Sequence, residues 1–266
     1  PWGIDWNDYG HAIVCNCVRP HLYHIIQGAY YDPLNNRPTG RYSYERIATI
    51  ADHRHGTFVR GGNFRPAPLV PTAVQRAKEI RAGGGHAHCG AMVYLGDNWP
   101  SKYRNQIFMN NVHGRRINND RLTRKGSGYT ASHEPDVMIS ADPWFVGVSL
   151  VYGPDGAVYS SDFSDTGECH HHINTQKHTG RIFKIAYGKP KTWQGDLNKL
   201  SDEELLKLNL HKNDWFVRHA RRILQERQAD TSALVKTLKS DLPVPSRLRA
   251  LWALHVSGHL HKPMLS

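Results

Sequence analysis

Apolar residues in the first 189 positions occur in short runs that glycine, asparagine, aspartate or proline repeatedly interrupts. This pattern is typical of many short antiparallel strands. In the clearest unit, residues 148–152 and 157–162 flank Gly153-Pro154-Asp155-Gly156, whose residues permit the dihedral angles of a hairpin turn. A weaker copy spans residues 3–15. We therefore predict a mainly β region that ends near Lys189.

Further strands are expected at residues 91–95, 106–110 and 181–187. Small sheets of about four strands, each about 40 residues long, are typical of a β-propeller, and about 190 residues would form only four or five such blades. The predicted fold over residues 1–189 is a partial β-propeller of four-stranded blades. Its open sheet edges would favour self-association.

The chain changes character after Pro190. Ser201 and Glu204 have the spacing of a capping box, which predicts a helix start. Apolar residues at helical spacing follow over 214–228, 232–239 and 246–256. Short helices of this kind stack into solenoids, so we predict an α-helical, HEAT-like segment over residues 190–266. Between the β runs, residues 42–81 form a long irregular segment, with a short helix expected at 71–80; such long loops are usually functional or disordered.

Composition excludes several classes of protein. With 39% apolar residues and no long apolar run, we predict no membrane span, and the start of the chain has no pattern of a signal peptide. The chain begins at Pro1 without a methionine, so we expect a piece of a longer protein. The net charge of +11 suits a polyanion, but no nucleic-acid-binding motif is present, and we predict no nucleic-acid partner.

Four cysteines are too few for a disulfide scaffold, and no Cys-x-x-Cys-His motif is present, so we expect no haem attached to this chain. Cys15 and Cys17, with His21 and His24, have the residue types of a zinc site but a much tighter spacing. Buried thiols in a strand are the alternative.

Three glycines, Gly83 to Gly85, precede His86 and His88 at the start of an apolar run. Residues two apart on a strand share a face, so the two imidazoles would point the same way, as a metal-ligand or acid/base pair requires. The alternative is that both histidines cap a strand end through ordinary hydrogen bonds.

A second candidate metal site follows the predicted hairpin. Asp162 and Asp165 offer carboxylates that suit calcium, whereas His170 and His172 offer imidazoles that suit zinc or copper. The alternative is a polar loop whose carboxylates cap local turns.

Five short sequence segments carry a family resemblance: residues 20–28, 50–53, 84–88, 110–114 and 153–156. They resemble the large exported proteins of planctomycetes, verrucomicrobia and their relatives that are labelled membrane-bound dehydrogenases or haem-binding proteins. In that family a propeller similar to sorbosone and glucose dehydrogenases precedes HEAT-type repeats and a c-type cytochrome domain. By this resemblance the chain is a fragment that lacks the cytochrome domain, and a cytochrome outside this chain would accept the electrons. The resemblance also implies export to the periplasm or the extracellular space.

The resemblance also implies a site. Related propeller dehydrogenases bind pyrroloquinoline quinone with calcium, and a histidine takes the substrate proton. By resemblance, His86, His88 and His113 are the catalytic candidates. Arg115, Arg116 and Asn111 are the cofactor-binding candidates, since guanidinium groups pair with carboxylates. The alternative for the arginines is a solvated hairpin.

Three functions follow from these observations, and the residues alone leave open whether the chain is an enzyme. The first is a carbohydrate-directed oxidoreductase, similar to quinone-dependent sugar or aldehyde dehydrogenases. The second is a non-catalytic module that binds a glycan or a protein. The third is a hydrolase that uses a histidine-bound metal such as zinc.

Overall fold

The computed structural model describes residues 2–17, 20–31, 46–55, 85, 87–142, 144–163 and 178–262. These residues are mainly β, with three antiparallel sheets and a few short helices. They form two compact units, the first from residues 1–94, 105–151 and 159–185, and the second from residues 95–104, 152–158 and 186–266. No closed barrel or propeller ring is found among the described residues.

The first sheet confirms the weaker hairpin predicted near the start of the chain. Strands β1 (Ile4–Trp6), β2 (Ala12–Cys15) and β3 (Leu22–Ile25) pair in chain order. Gly3 has a φ of 147° and lies against the backbone of Ala91, where a Cβ atom would overlap the amide nitrogen. Only glycine combines this conformation with so close an approach.

The second sheet is the largest. It consists of β4 (His88–Val93), β5 (Ile107–Asn111), β6 (Arg116–Lys125) and β7 (Gly128–Ile139), again in chain order. The strands predicted at 91–95 and 106–110 are therefore confirmed, but β6 and β7 are the longest strands and were not predicted. The first five residues of β6 are all buried although four of them are polar or charged, so the apolar pattern that identifies strands is absent there.

The third sheet contains the hairpin predicted around Gly153 to Gly156. Its strands are β8 (Gly147–Tyr152), β9 (Val158–Asp162) and β10 (Arg181–Ile185), and β9 lies in the middle. Both the hairpin and the strand predicted near 181–187 are confirmed.

Four short helices follow among the described residues: α1 (Asp202–Lys207), α2 (Asp214–Glu226), α3 (Leu234–Leu238) and α4 (Val244–Val256). The predicted capping box is present, with Ser201 and Glu204 each bonded to the other's backbone amide. Buried side chains from several of these elements form two neighbouring apolar clusters in the second unit. No helix in the described ranges is long and apolar enough to cross a membrane. The helix expected at 71–80 lies outside the described residues.

Leu205 tests the packing of the second unit. Its side chain is fully buried in the apolar cluster, so Leu205→Ala should lower the free energy of unfolding by about 2–5 kcal/mol. Leu210 is 49% exposed, and Leu210→Ala is the matched control, with an expected change within about 0.5 kcal/mol. Denaturant unfolding followed by circular dichroism measures both; equal losses would contradict this packing.

Candidate functional site

The candidate site begins on the face of the large sheet where β6 and β7 pair. Asp120 of β6 lies directly opposite His133 of β7 in the antiparallel register. Directly opposed residues share a face of the sheet, so the carboxylate and the imidazole are neighbours. Asp120 is fully buried, whereas the His133 side chain is 36% exposed. The site therefore reaches from the interior to the protein surface.

A separate loop supplies two more histidines. Ala131 of β7 donates its amide proton to the carbonyl of Ile50, and its own carbonyl accepts from the amide of Asp52. This bridge attaches the loop to the strand two residues before His133. As a result, the rings of His53 and His55 lie 5.3 and 4.9 Å from the His133 ring, measured between centroids.

The last two histidines lie at the starts of other strands. His88 is the first residue of β4, opposite Asn111 of β5, and His21 immediately precedes β3. Both are almost completely buried, and their rings stack with centroids 4.6 Å apart. Together these six residues form what we call the histidine cluster: His21, His53, His55, His88, His133 and Asp120.

His55 occupies the centre of the histidine cluster. Its Nδ1 atom lies 2.6 Å from Nε2 of His88, and its Nε2 atom lies 3.3 Å from Nδ1 of His133. Two sets of ligand-type atoms result, each with all members within 4.8 Å of one another. They are His53, His55, Asp120 and His133 in the first set, and His21, His55 and His88 in the second set. This spacing suits side chains that share a metal ion.

Asp120 is ionised despite its burial. Burial by itself would raise the pKa of this carboxyl, but polar contacts with the imidazoles of His133, His21 and His53 outweigh it and hold the pKa well below its usual range. Nε2 of His21 lies 3.0 Å from Oδ2, whereas His53 and His133 approach Oδ1 only to 3.5 Å. The latter distances exceed those of good hydrogen bonds, so Oδ1 keeps lone pairs available for a cation.

Two of the imidazoles are neutral near pH 7. Burial, reinforced by the neighbouring His21, lowers the pKa of His55 to about 3. The same causes lower the pKa of His88 well below its ordinary value. A neutral imidazole has a free lone pair on one nitrogen, which is the form that binds metals.

An outer carboxylate orients one of the ligands. Nδ1 of His53 lies 3.1 Å from Asp52, and this contact leaves its Nε2 atom facing Asp120. Histidines that bind metals commonly donate their other ring proton to a carboxylate in this way. Nε2 of His133 lies 3.9 Å from Asp136, which is too long for a hydrogen bond, and its Nδ1 atom faces Asp120. Although contacts with Asp120 and Asp52 raise the pKa of His53, burial opposes that shift.

A network of buried polar side chains contacts the histidine cluster. Asn111 donates to Oδ1 of Asn118 at 2.8 Å and lies 3.4 Å from Nε2 of His88. Asn118 donates to Asp136 at 2.7 Å, and Arg116, which is completely buried, pairs with the same carboxylate at 2.8 Å. This network fixes the positions of His88 and Asp136.

The structure brings some of the predicted site residues together and separates others. His88 belongs to the histidine cluster, and Asn111 contacts it. His113 is buried beside Gly85, where a Cβ atom would lie 2.6 Å from that of His113. His86, Asp165, His170 and His172 lie outside the described residues, and the pairing expected of His86 and His88 stays a prediction.

The predicted cofactor-binding arginines are buried. Arg115 donates to the carbonyl of Phe145 at 3.2 Å, and Arg116 is engaged by Asp136. The alternative of a solvated hairpin is therefore wrong for both. Asp162 accepts from the amide of Val146 and pairs with Arg181 at 2.6 Å, and it belongs to neither set of metal-ligand atoms.

The tight Cys2His2 arrangement is not formed by the described residues. Burial raises the pKa of Cys15 to about 11, so its thiol is protonated, and it donates to the carbonyl of Trp2. His24 contacts His11 at 3.0 Å, and His21 joins the histidine cluster instead. The alternative of a buried thiol fits Cys15.

Sequence reasoning missed most of the cluster. His53 lies in one of the segments that carry the family resemblance, but no sequence pattern distinguishes His55, Asp120 or His133 as site residues. One local signal is present, because His53 and His55 are two residues apart within the long irregular segment 42–81, and such loops are usually functional or disordered. Asp120 and His133 carry no local signal, since only the pairing of β6 with β7 joins them.

The neutral imidazoles predict a stability that depends on pH. Below their ordinary pKa of 6.5, the unfolded chain binds protons at His55 and His88 that the folded chain does not. Each of these histidines should lower the folding equilibrium constant about tenfold for each unit by which the pH falls below 6.5. The raised pKa of His53 has the opposite effect on stability. We therefore expect the metal-free protein to lose stability as the pH falls from about 6.5 to about 5.

Denaturant unfolding in the presence of a chelator, repeated at several pH values, measures this effect. In His55→Gln the stability should fall less steeply, because one of the two neutral imidazoles is gone. A wild-type stability that stays constant over the same range would show that these imidazoles are not held neutral.

Comparison with known proteins identifies the β region. A family model described as a domain of unknown function (DUF7133) matches residues 1–189, and these residues include the whole histidine cluster. No curated protein matches the chain significantly. Since the matched residues make up more than half of the 266-residue chain, this protein belongs to the DUF7133 domain family.

Proposed function

We propose that this domain is an oxidoreductase that acts on a carbohydrate or a related small molecule. For this reaction it would use a transition metal bound in the histidine cluster. The single observation that carries the metal is the gathering of five imidazoles and one buried, ionised carboxylate into two sets of ligand-type atoms. The substrate class and the redox reaction rest on the family resemblance. The partly exposed His133 and His53 would give a small molecule access to the ion.

The donor atoms favour copper or zinc over calcium. Imidazole suits copper and zinc, whereas calcium takes six to eight oxygen ligands. The described cluster offers five imidazoles and a single carboxylate, so calcium does not fit it. A copper ion would supply electron transfer and a zinc ion would polarise a bound oxygen; we therefore assign copper to the oxidoreductase proposal.

The described residues support the binding of pyrroloquinoline quinone less well than the binding of a metal ion. Arg116 was expected to hold its carboxylates, but that guanidinium is completely buried and already paired with Asp136. The proposed reaction therefore involves no quinone. In the proposed reaction Asp120 helps to hold the ion, and the neutral imidazoles complete its coordination.

The second candidate function is a metal-dependent hydrolase. His133 at the edge of the cluster is 36% exposed, which favours a coordination position open to solvent, as catalytic zinc sites require. A third possibility, a module that binds glycans or proteins without turnover, would use the same loops and need no metal.

We further propose a partial β-propeller with a HEAT-like segment as the architecture. In all three sheets the strands pair in chain order, as up-and-down blades do, and α1 to α4 are joined by short connections. Export, a cytochrome as electron acceptor and association through open sheet edges belong to the same proposal and rest on the resemblance.

Metal affinity gives the first test. Asp52→Asn removes the carboxylate that orients His53 and should weaken copper or zinc binding about 10–100-fold. Asp241→Asn changes an exposed carboxylate in the second unit and is the matched control, with no expected change. Isothermal titration of the metal-free protein measures both variants; equal affinity in wild type and Asp52→Asn would argue against this site.

Activity gives the second test. Copper-loaded protein should reduce a dye with at least one sugar or aldehyde from a panel, and chelation or Asp120→Asn should abolish the reduction. Zinc-loaded protein assayed with chromogenic esters, phosphates and glycosides tests the hydrolase. Binding on a glycan array without turnover in either assay would support the non-catalytic module instead.

A further inference from the structure

We infer that the histidine cluster is built for two metal ions, with the imidazole ring of His55 bridging them. This inference rests on the proposed function, since it deepens the same site. It follows from the geometry of one ring, which belongs to both sets of ligand atoms.

The two nitrogens of His55 face different partners. Nδ1 lies 2.6 Å from His88, a member of the second set, and Nε2 lies 3.3 Å from His133, a member of the first set. Lone pairs on the two nitrogens of a planar imidazole diverge, so one ion cannot bind both atoms. His55 therefore serves both sets only if each set holds its own ion.

Asp120 divides its oxygens in the same way. Oδ2 lies 3.0 Å from Nε2 of His21, which belongs to the second set. Oδ1 lies 3.5 Å from Nε2 of His53 and 3.5 Å from Nδ1 of His133, both in the first set. Asp120 belongs to the first set only, so Oδ1 would be a ligand of the first ion, whereas Oδ2 holds His21 in position beside the second.

Buried polar atoms that lack hydrogen bonds add a second, independent observation. Among the described residues, Nε2 of His53 and Oδ1 of Asp120 have no hydrogen-bond partner although both are buried. A buried polar atom without a partner costs free energy, and native proteins rarely leave one unsatisfied. An ion between His53, His133 and Asp120 would satisfy both atoms.

The first ion would bind Nε2 of His53, Nδ1 of His133, Oδ1 of Asp120 and Nε2 of His55. The second ion would bind Nε2 of His88, Nδ1 of His55 and the imidazole of His21. A neutral imidazole carries one N–H proton, so the second ion to arrive displaces that proton to solvent and forms a metal–nitrogen bond in its place. No electron is transferred in this step. Two dications facing one carboxylate and one deprotonated ring leave a net positive charge that suits an anionic substrate or product.

Copper titration of the metal-free 266-residue chain tests the bridge. Elemental analysis after gel filtration should find two copper ions per chain. Electron paramagnetic resonance should account for far fewer spins than copper ions, because a bridging imidazolate couples two Cu²⁺ centres magnetically. His88→Ala removes a ligand of the second ion only and should bind one copper ion with its full spin signal. His255→Ala, an exposed histidine of α4, is the control and should behave as wild type.

Three other outcomes are distinguishable. No bound copper or zinc in the folded wild type would overturn the proposed function itself. One ion per chain would overturn the two-ion inference and leave the metal site standing. Two ions with a full spin signal would overturn the His55 bridge. Circular dichroism of each variant confirms folding, and His21→Ala repeats the second-site test should His88→Ala fail to fold.

Discussion

The buried charge of Asp120 is the constraint around which the first unit is organised. A carboxylate removed from water costs several kcal/mol unless polar partners compensate for its lost hydration. His21 provides a close partner at 3.0 Å, and His53 and His133 approach the other oxygen. The register of β6 with β7 brings His133 to the charge, and the bridge from Ala131 holds the loop that carries His53.

Burial decides the protonation of two imidazoles. The rings of the five histidines form a connected series of contacts, and burial, reinforced by the neighbouring His21, lowers the pKa of His55 and His88 so that their lone pairs stay free. The cluster therefore combines one negative charge with two neutral donors. A metal cation would compensate Asp120 more completely than the imidazoles do, which links the energetics of the fold to the proposed chemistry.

Much of the local structure was predictable. The hairpin around Gly153 to Gly156 and the capping box of Ser201 and Glu204 depend on residues close in sequence, and both are confirmed. Strands β6 and β7 escaped prediction because the buried half of β6 is mostly polar, whereas apolar periodicity is the signal that reveals strands. For the site, the sequence pointed to His88 and to its neighbour Asn111, but the partners of His88 are distant in sequence.

The sequence by itself determined the mainly β character before residue 189, the helices after it and an unusual supply of histidines in the first unit. Only the tertiary structure decided which histidines act together. His21, His55, His88 and His133 come from separate segments, and strand register and one backbone bridge bring them into contact. Pairing of this kind joins residues tens of positions apart, and no local pattern of side chains encodes it, because the register is set by the packing of the whole sheet.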